Sequence, residues 1–351
     1  MEKAAFQFEY EGTPVSCERY GEGHINRTFL VKTDAGKKYV LQGMSSVAFH
    51  DVPGLMENVI AVTSHIRARD PRPNSALHFL TASDGKYYYI DEEGTYWRSY
   101  VHVDALCLQK AETVEDFYQS AVAFGSFQNQ LSDFPAETLH ETIVNFHHTP
   151  DRYRKFREAI EKNLSGRRDR VKDEIEFYLE REEEAGSLQR MRESGELPVR
   201  VTHNDTKLNN VLLDEKTHQA ICVIDLDTVM PGLSAYDFGD SIRFGASTAA
   251  EDEKDLSKVS MSIDLFRTYS QGFVSACPGL TAKEREVLPL GAKIMTLECG
   301  MRFLTDYLDG DVYFHTAYPE HNLIRSRTQI KLVRDMEEKW SEMTEIVRAI
   351  P

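Results

Sequence analysis

Over residues 1–101 short apolar stretches alternate with polar ones punctuated by glycine. Phe6 to Tyr10, Thr28 to Thr33, Lys38 to Leu41 and Tyr87 to Ile90 are rich in aromatic and β-branched residues and predict strands, with Gly12, Gly36 and Gly85 at turns. Leu55, Val59, Val62 and Ile66 recur at helical spacing and predict a helix over residues 55–69. Tyr96 to Val101 predicts one more strand. From Val103 onward the period lengthens. Val114 to Gln130, Ser257 to Val274, Thr281 to Tyr307 and Arg325 to Ile350 predict helices. In Lys155 to Glu193 charge dominates, with opposite signs three and four residues apart, which predicts a solvated helix. The pattern as a whole predicts an α+β protein, strand-rich over 1–101 and mostly helical over 102–351.

Three short apolar stretches interrupt the helical period. Val199 to Val201 leads as a strand into the polar loop His203-Asn204-Asp205-Thr206-Lys207-Leu208-Asn209-Asn210. Val211 to Leu213 and Ile221 to Ile224 read as a hairpin across the polar turn Asp214 to Gln219. Pairing Leu213 with Ile221 sets Asn210 opposite Ile224 and brings Asn210 and Asp225 to the open end of the hairpin. An amide oxygen beside one or two carboxylates, Asp225 and Asp227, suits Mg²⁺, a hard ion that takes oxygen ligands and keeps room for phosphate oxygens. Asp205 then stands just outside the metal, where it could take a proton from a substrate hydroxyl. An Asp, a following Asn and a hairpin-borne Asp form a phosphoryl-transfer constellation. An isolated Asp-rich loop is ordinarily a turn that caps its own backbone. Here the flanking strands and the second acidic cluster favour chemistry.

Composition narrows the setting. The chain has 351 residues, 41% of them hydrophobic, enough for an ordinary core. No run approaches the roughly 18 apolar residues that span a membrane. The start, Met1-Glu2-Lys3-Ala4-Ala5-Phe6-Gln7, has no signal-peptide layout. The 5 cysteines are scattered without metal or redox spacing. A cytoplasmic protein with access to ATP is expected. A net charge of −16 argues against a nucleic-acid partner, which would need a basic stripe; it could help attract a cationic substrate, but general solubility is the stronger reading.

His203-x-Asp205-xxxx-Asn210 and Ile224-Asp225-x-Asp227, extended by Gly232 and Tyr236-Asp237-Phe238-Gly239-Asp240, resemble the signature of the aminoglycoside phosphotransferase and choline kinase family. Within that group the wording is most similar to the N-acetylhexosamine 1-kinases. The closer match lies in Leu226 to Ser234, Met301 to Tyr307, Phe314 and His321-Asn322-Leu323. The resemblance implies a bilobal, protein-kinase-like fold, with a nucleotide-binding N-lobe over 1–101 and a C-lobe over 102–351. It implies ATP and Mg²⁺ as reactants and the anomeric hydroxyl of an N-acetylhexosamine as acceptor. Another small alcohol, such as an aminoglycoside or amino alcohol, is the alternative. Asp205 would be the catalytic group and would also touch the acceptor. Asn210, Asp225 and Asp227 would hold the metal. His203 and Asp237 would support the catalytic loop, although Asp237-Phe238-Gly239 spells the metal-binding tripeptide of protein kinases. Gly21 and Gly23 would lie over the phosphates, and Tyr100, Val101 and His102 would form the adenine hinge.

One position departs from the pattern. The third strand of such folds carries a Lys or Arg that meets the phosphates, but Gln42 follows Tyr39-Val40-Leu41 here. Glu57, the usual partner of that cation, is left without it. Either Gln42 and backbone donors serve the nucleotide, or the chain binds nucleotide without transferring phosphate. On the acceptor side, Glu298, Arg302 and Asp306 fall one helical turn apart. They read either as a surface ion-pair ladder or, since Arg302 has apolar neighbours, as a guanidinium facing sugar hydroxyls. His24 is a further acceptor candidate.

Overall fold

The computed structural model describes residues 2–21, 26–45 and 49–351. Gly23 and His24 lie outside them. Among the described residues the strands are β1 (Pro14–Arg19), β2 (Arg27–Thr33), β3 (Lys38–Gly43), β4 (Tyr89–Ile90), β5 (Tyr96–Val101), β6 (Arg200–Thr202), β7 (Val211–Leu213), β8 (Ala220–Val223) and β9 (Met230–Gly232). The helices are α1 (Val52–Arg69), α2 (Val114–Gln130), α3 (Thr149–Lys162), α4 (Lys172–Leu179), α5 (Glu182–Ala185), α6 (Ser187–Glu193), α7 (Ser234–Gly245), α8 (Ile263–Ala276), α9 (Ala282–Glu286), α10 (Leu288–Asp309), α11 (His321–Glu338) and α12 (Trp340–Ala349). None of them is long and apolar enough to cross a membrane.

Contacts divide the chain into two units. The first is Met1–Leu106 with Asp133–Val144 and Leu212–Pro231, so it extends well beyond 1–101. The second is Cys107–Ser132, Asn145–Val211 and Gly232–Pro351.

The first unit is built on an antiparallel sheet in the order β1-β2-β3-β5-β4. Ala4, Ala5, Phe8, Val31, Tyr39, Leu41, Ala82 and Trp97 form one apolar cluster on it. Phe6 to Tyr10 is not a strand. Lys3–Phe6 forms a 3-10 turn and Phe8 makes only an isolated bridge to Ala82; Ala4, Ala5 and Phe8 insert into the core instead of pairing, and Phe6 stays exposed. Conversely, β1 carries no clean alternation, since it is a half-exposed edge strand, and its sequence gives no strand signal. Helix α1 starts at Asp51, whose carboxylate accepts the Gly54 N–H at 3.0 Å. It buries Leu55, Val59, Val62 and Ile66, as their spacing predicts. Asn58, buried on the same helix, joins three segments of the unit. Its amide nitrogen donates to the carbonyls of His140 (2.8 Å) and Val229 (3.0 Å), and its oxygen accepts the His140 N–H (2.8 Å). In the hairpin, the Asp214 N–H donates to the Gln219 carbonyl at 2.9 Å. This sets Asp214 against Gln219, one residue from the pairing of Leu213 with Ile221 that the sequence suggests.

The second unit is helical. Helix α10 packs against α3, α7 and α11, and α2 packs along α8. Capping boxes start α2 (Thr113 with Asp116) and α9 (Thr281 with Glu284). The charged stretch Lys155 to Glu193 is not a single solvated helix. Asn163 turns left-handed and ends α3, and α4, α5 and α6 follow as short pieces. Beneath their charges Tyr153, Phe156, Ile175, Phe177 and Tyr178 join Leu297, Met301, Leu304 and Tyr307 of α10 in one core. The i, i+4 ion pairs are real, for example Arg154–Glu158, but they occupy only the outer face. Helices α7 and α10 approach closely. A Cβ on Gly239 would lie 2.4 Å from the Gly291 carbonyl, and one on Gly291 would lie 2.4 Å from the Ala235 carbonyl.

Asn58→Ala is expected to lower unfolding stability by about 1–3 kcal/mol, since it strands the buried Val229 carbonyl and leaves the more exposed His140 carbonyl and N–H to water. Urea denaturation measures this, and a loss below about 0.5 kcal/mol would show that water replaces those bonds.

Candidate active site

In the second unit the loop after β6 is held almost entirely from α7. Asp237, in the first turn of that helix and fully buried, accepts the backbone N–H groups of His203 (2.9 Å) and Asn204 (2.8 Å). Gln128 of α2 donates to the same carboxylate at 2.7 Å. Burial raises the pKa of Asp237, and these donors together with His203 oppose the rise. Asp237 is therefore occupied in building the loop. Its string Asp237-Phe238-Gly239 lies inside a helix, where Gly239 serves the approach to α10. Thr206 continues the attachment: its hydroxyl donates to the Asp237 carbonyl (2.6 Å) and its N–H to Asp240 (3.1 Å). His203 is buried against the edges of Phe124 and Phe127 and is not presented to a substrate. Asn204 takes a left-handed conformation, φ 65°, which Asn tolerates better than most residues.

This frame presents Asp205. Lys207 lies 2.7 Å from one of its oxygens, and the Asn210 amide nitrogen donates to its carbonyl (2.9 Å) and to its other oxygen (3.2 Å). With its nitrogen so used, the Asn210 side chain has its oxygen left for a cation. Burial would lower the pKa of Lys207, but the charges of Asp205 and Asp240 outweigh it and hold the pKa raised. Lys207 was not singled out from the sequence. The signal was present, since an ammonium two residues from a catalytic carboxylate is placed to meet phosphate charge.

In the first unit the turn after β8 holds the other carboxylates. Asp225 is exposed and left-handed, φ 58° and ψ 56°, a conformation that costs energy and collects at functional positions. Asp227 is buried. It forms an ion pair with Arg98 of β5 at 2.5 Å and accepts the Asn26 amide at 2.8 Å. In this arrangement Asp227 is the counter-ion of a buried guanidinium. No group of three His, Cys, Asp or Glu side chains among the described residues could hold a metal. The amide oxygen of Asn210 in the second unit and the carboxylate of Asp225 in the first are each of the oxygen-donor type that Mg²⁺ takes.

On the sheet, Gly21 is left-handed, φ 72°, with open space where a Cβ would point, so the turn itself calls for glycine there. Tyr20 beside it donates to or accepts from His102 Nε2 at 3.1 Å, which links this turn to the end of β5. The expected hinge, Tyr100 to His102, spans the end of β5 and the residue after it. The Val101 N–H donates to the His78 carbonyl (2.9 Å) and the His102 N–H to the Lys38 carbonyl (3.1 Å). Those two donors are spent within the sheet. Gln42 donates to Thr28 at 3.2 Å and accepts from Arg98 at 3.0 Å. Glu57 points away from it, exposed, with His140 at 2.7 Å.

The residues of α10 do not form an ion-pair ladder. Glu298, fully buried, accepts from His147 Nδ1 (2.9 Å) and the Thr149 hydroxyl (2.7 Å). Burial alone would raise its pKa, but His147, Arg152 and Arg302 bring it below the usual value. Asp306 accepts the N–H groups of Val312 (2.9 Å), Tyr313 (2.8 Å) and Phe314 (2.9 Å) and the Asn322 amide (2.8 Å). It thereby shapes the loop that carries Tyr313 and Phe314. Arg302, between the two acids, pairs with neither. It lies over the rings of Phe314 (5.5 Å), Phe146 (5.8 Å) and Tyr313 (5.9 Å) and makes no ion pair among the described residues. The buried Arg152 has its pKa lowered, first by burial and then by the charge of Arg302.

An α+β molecule with an antiparallel N-terminal sheet, a helical remainder and this loop has the fold of the protein-kinase-like phosphotransferases. Residues 16–257 match the phosphotransferase enzyme family APH, and the chain belongs to that family. It is similar in fold to a microcompartment-associated aminopropanol kinase, at 17% identity and a TM-score of 0.65, covering 95% of each chain. It is similar also to an amicoumacin kinase in complex with AMP-PNP, Ca²⁺ and Ami, at 12% identity and a TM-score of 0.61, covering 96% of this chain and 92% of the other. Choline kinase from Cryptosporidium parvum matches at 13% identity and a TM-score of 0.56, covering 95% and 92%.

Asp205→Asn is expected to leave the melting temperature nearly unchanged and to lower kcat by about 10²–10⁴-fold, the usual contribution of a general base. A loss of only a few-fold in steady-state assays would remove Asp205 from that role.

Proposed function

We propose that this chain transfers a phosphoryl group from ATP to the anomeric hydroxyl of an N-acetylhexosamine, GlcNAc or GalNAc, and releases the sugar 1-phosphate. Asp205 orients the acceptor hydroxyl and takes its proton. Asn210, through its amide oxygen, and Asp225 are the ligands that the motif assigns to Mg²⁺, which when bound would neutralise phosphate charge. Lys207 keeps Asp205 in place and adds positive charge beside it. Positioning and electrostatics supply most of the catalysis in such a transfer. The anomeric hydroxyl is the most acidic of a sugar, so a single carboxylate suffices to activate it.

Arg302 is the observation that carries the choice of acceptor. A guanidinium on three aromatic rings, with no acid paired to it among the described residues and a second guanidinium, Arg152, close enough to depress, repels a cationic acceptor. It suits hydroxyls and an acyl oxygen, to which its fork can donate. A second reading, an amino alcohol or aminoglycoside kinase, is favoured by the neighbours of similar fold, which include an aminopropanol kinase and a choline kinase. The net charge of −16 is compatible with it.

An ATP-consumption assay across N-acetylhexosamines, amino alcohols and aminoglycosides separates the two. Turnover of the N-acetylhexosamines is expected, with the phosphorus NMR signal of the product coupled to the anomeric proton. The 1-O-methyl glycoside, whose acceptor oxygen is blocked, should inhibit without turnover. Preferred turnover of choline or aminopropanol, or a product phosphorylated at C6, would sink the 1-kinase reading.

Arg302→Met is expected to raise KM for the N-acetylhexosamine by about 10-fold or more with a smaller effect on kcat, since it removes charged hydrogen bonds to bound acceptor. An unchanged KM would show that Arg302 only packs on its rings.

A further inference from the structure

The cation missing at Gln42 has a substitute one strand away. Thr28 pairs with Gln42 across β2 and β3, and Gln42 pairs with Arg98 across β3 and β5, so the three side chains stand in one row on one face of the sheet. They are joined in order: the Gln42 amide donates to Thr28 at 3.2 Å, and Arg98 Nε donates to the Gln42 oxygen at 3.0 Å. The guanidinium is buried, with the Met56 sulfur at 4.0 Å and the Phe79 ring at 5.7 Å. Its other arm meets Asp227 at 2.5 Å, and Asp227 is fixed in turn by Asn26.

A buried ion pair is a costly way to stabilise a core, and apolar residues of similar volume often do as well or better. Arg98 and Asp227 therefore call for an explanation beyond packing. Two features locate one. Asp227 lies in the same short turn as Asp225, the carboxylate assigned to the metal. Gln42 stands where a phosphate-facing cation is expected, and Arg98 is its direct neighbour in the row. A guanidinium has five N–H donors in a fixed fork and stays charged, so it can keep Gln42 and Asp227 and still donate to a phosphate oxygen. A lysine on β3 would instead end in a single point charge.

We propose that Arg98 is the nucleotide-phosphate cation of this chain, moved from the third strand to β5, with Gln42 orienting it and Asp227 as its resting counter-ion. This rests on the kinase reading. It makes Gln42 a positioning residue, and it predicts that the contribution of Arg98 grows with the number of phosphates on the ligand.

The test compares binding of adenosine, ADP and ATP by calorimetry, with Mg²⁺ held constant. Arg98→Met/Asp227→Asn removes both charges and so leaves no buried acid unpaired. Arg98→Lys, which keeps the charge, is a second variant should the double one fail to fold. In the double variant ATP affinity is expected to fall by about 10–100-fold, with adenosine affinity within about three-fold of the parent. Adding Gln42→Lys to the double variant should restore most of the preference for ATP over adenosine, because it returns a cation to the third strand. Arg98→Lys should fall between parent and double variant. A folded variant that keeps the parental ratio of ATP to adenosine affinity overturns the proposal and leaves Arg98 a structural partner of Asp227. A parent that itself binds ATP no better than adenosine refutes the kinase reading.

Discussion

The candidate site in the second unit depends on one buried carboxylate. Asp237 has its oxygens turned toward the backbone N–H groups of His203 and Asn204 and toward the Gln128 amide, away from water. Without those acceptors, two loop N–H groups would be buried and unpaired, and each would cost on the order of 1–3 kcal/mol. Asp237 belongs to α7, which glycines at 239 and 291 let approach α10 at backbone distance. The position of Asp205 is therefore tied, through a few short contacts, to the helix that carries Glu298 and Arg302. A side chain larger than hydrogen at either glycine would push α7 off α10 and carry the loop with it.

The first unit repeats the arrangement with different parts. Asp225, exposed and left-handed, is the presented carboxylate, and Asp227 is the buried one. Asp227 is held by Arg98 and Asn26 much as Asp237 is held by its amide donors. Both acidic clusters thus divide the work. In each, one carboxylate is buried: Asp237 holds loop backbone, and Asp227 meets the side chains of Arg98 and Asn26. The other, Asp205 or Asp225, is more exposed. Counting carboxylates along the chain cannot separate the two kinds, because the difference lies in which elements fold over them.

This sets the limit of what the sequence made legible. The strand and helix classes were readable because burial imposes a period: Leu55, Val59, Val62 and Ile66 lie on the buried face of α1, and Val114–Gln130 is a helix over the expected span. β1 was not readable, because an edge strand exposed on one side needs no alternation. The breaks between α3 and α6 were hidden under charges that record only the outer face. The loop Asp205 and Asn210 were visible as a motif. Arg98 was not, since an arginine between Trp97 and Ser99 in a strand carries no local mark of its role. It becomes conspicuous only when register sets it beside Gln42.

The same distinction bears on the acceptor. A net charge of −16 is a property of the whole surface and acts on a ligand while it approaches, within a screening length of about 8 Å at physiological salt. On the proposed reading, Arg302 and Arg152 would act on a bound acceptor, in surroundings made apolar by Phe146, Phe314 and the α10 core, where the same charge has a larger effect. An acidic surface could therefore draw in a cation that such surroundings would then disfavour. Global charge favours amino alcohols, and the proposed role of Arg302 favours neutral, hydroxyl-rich acceptors; the two act at different stages, approach and binding. Glu298 and Asp306 are oriented by other partners, the first toward His147 and Thr149 and the second toward the backbone of residues 312–314, though their charges still bear on the two arginines.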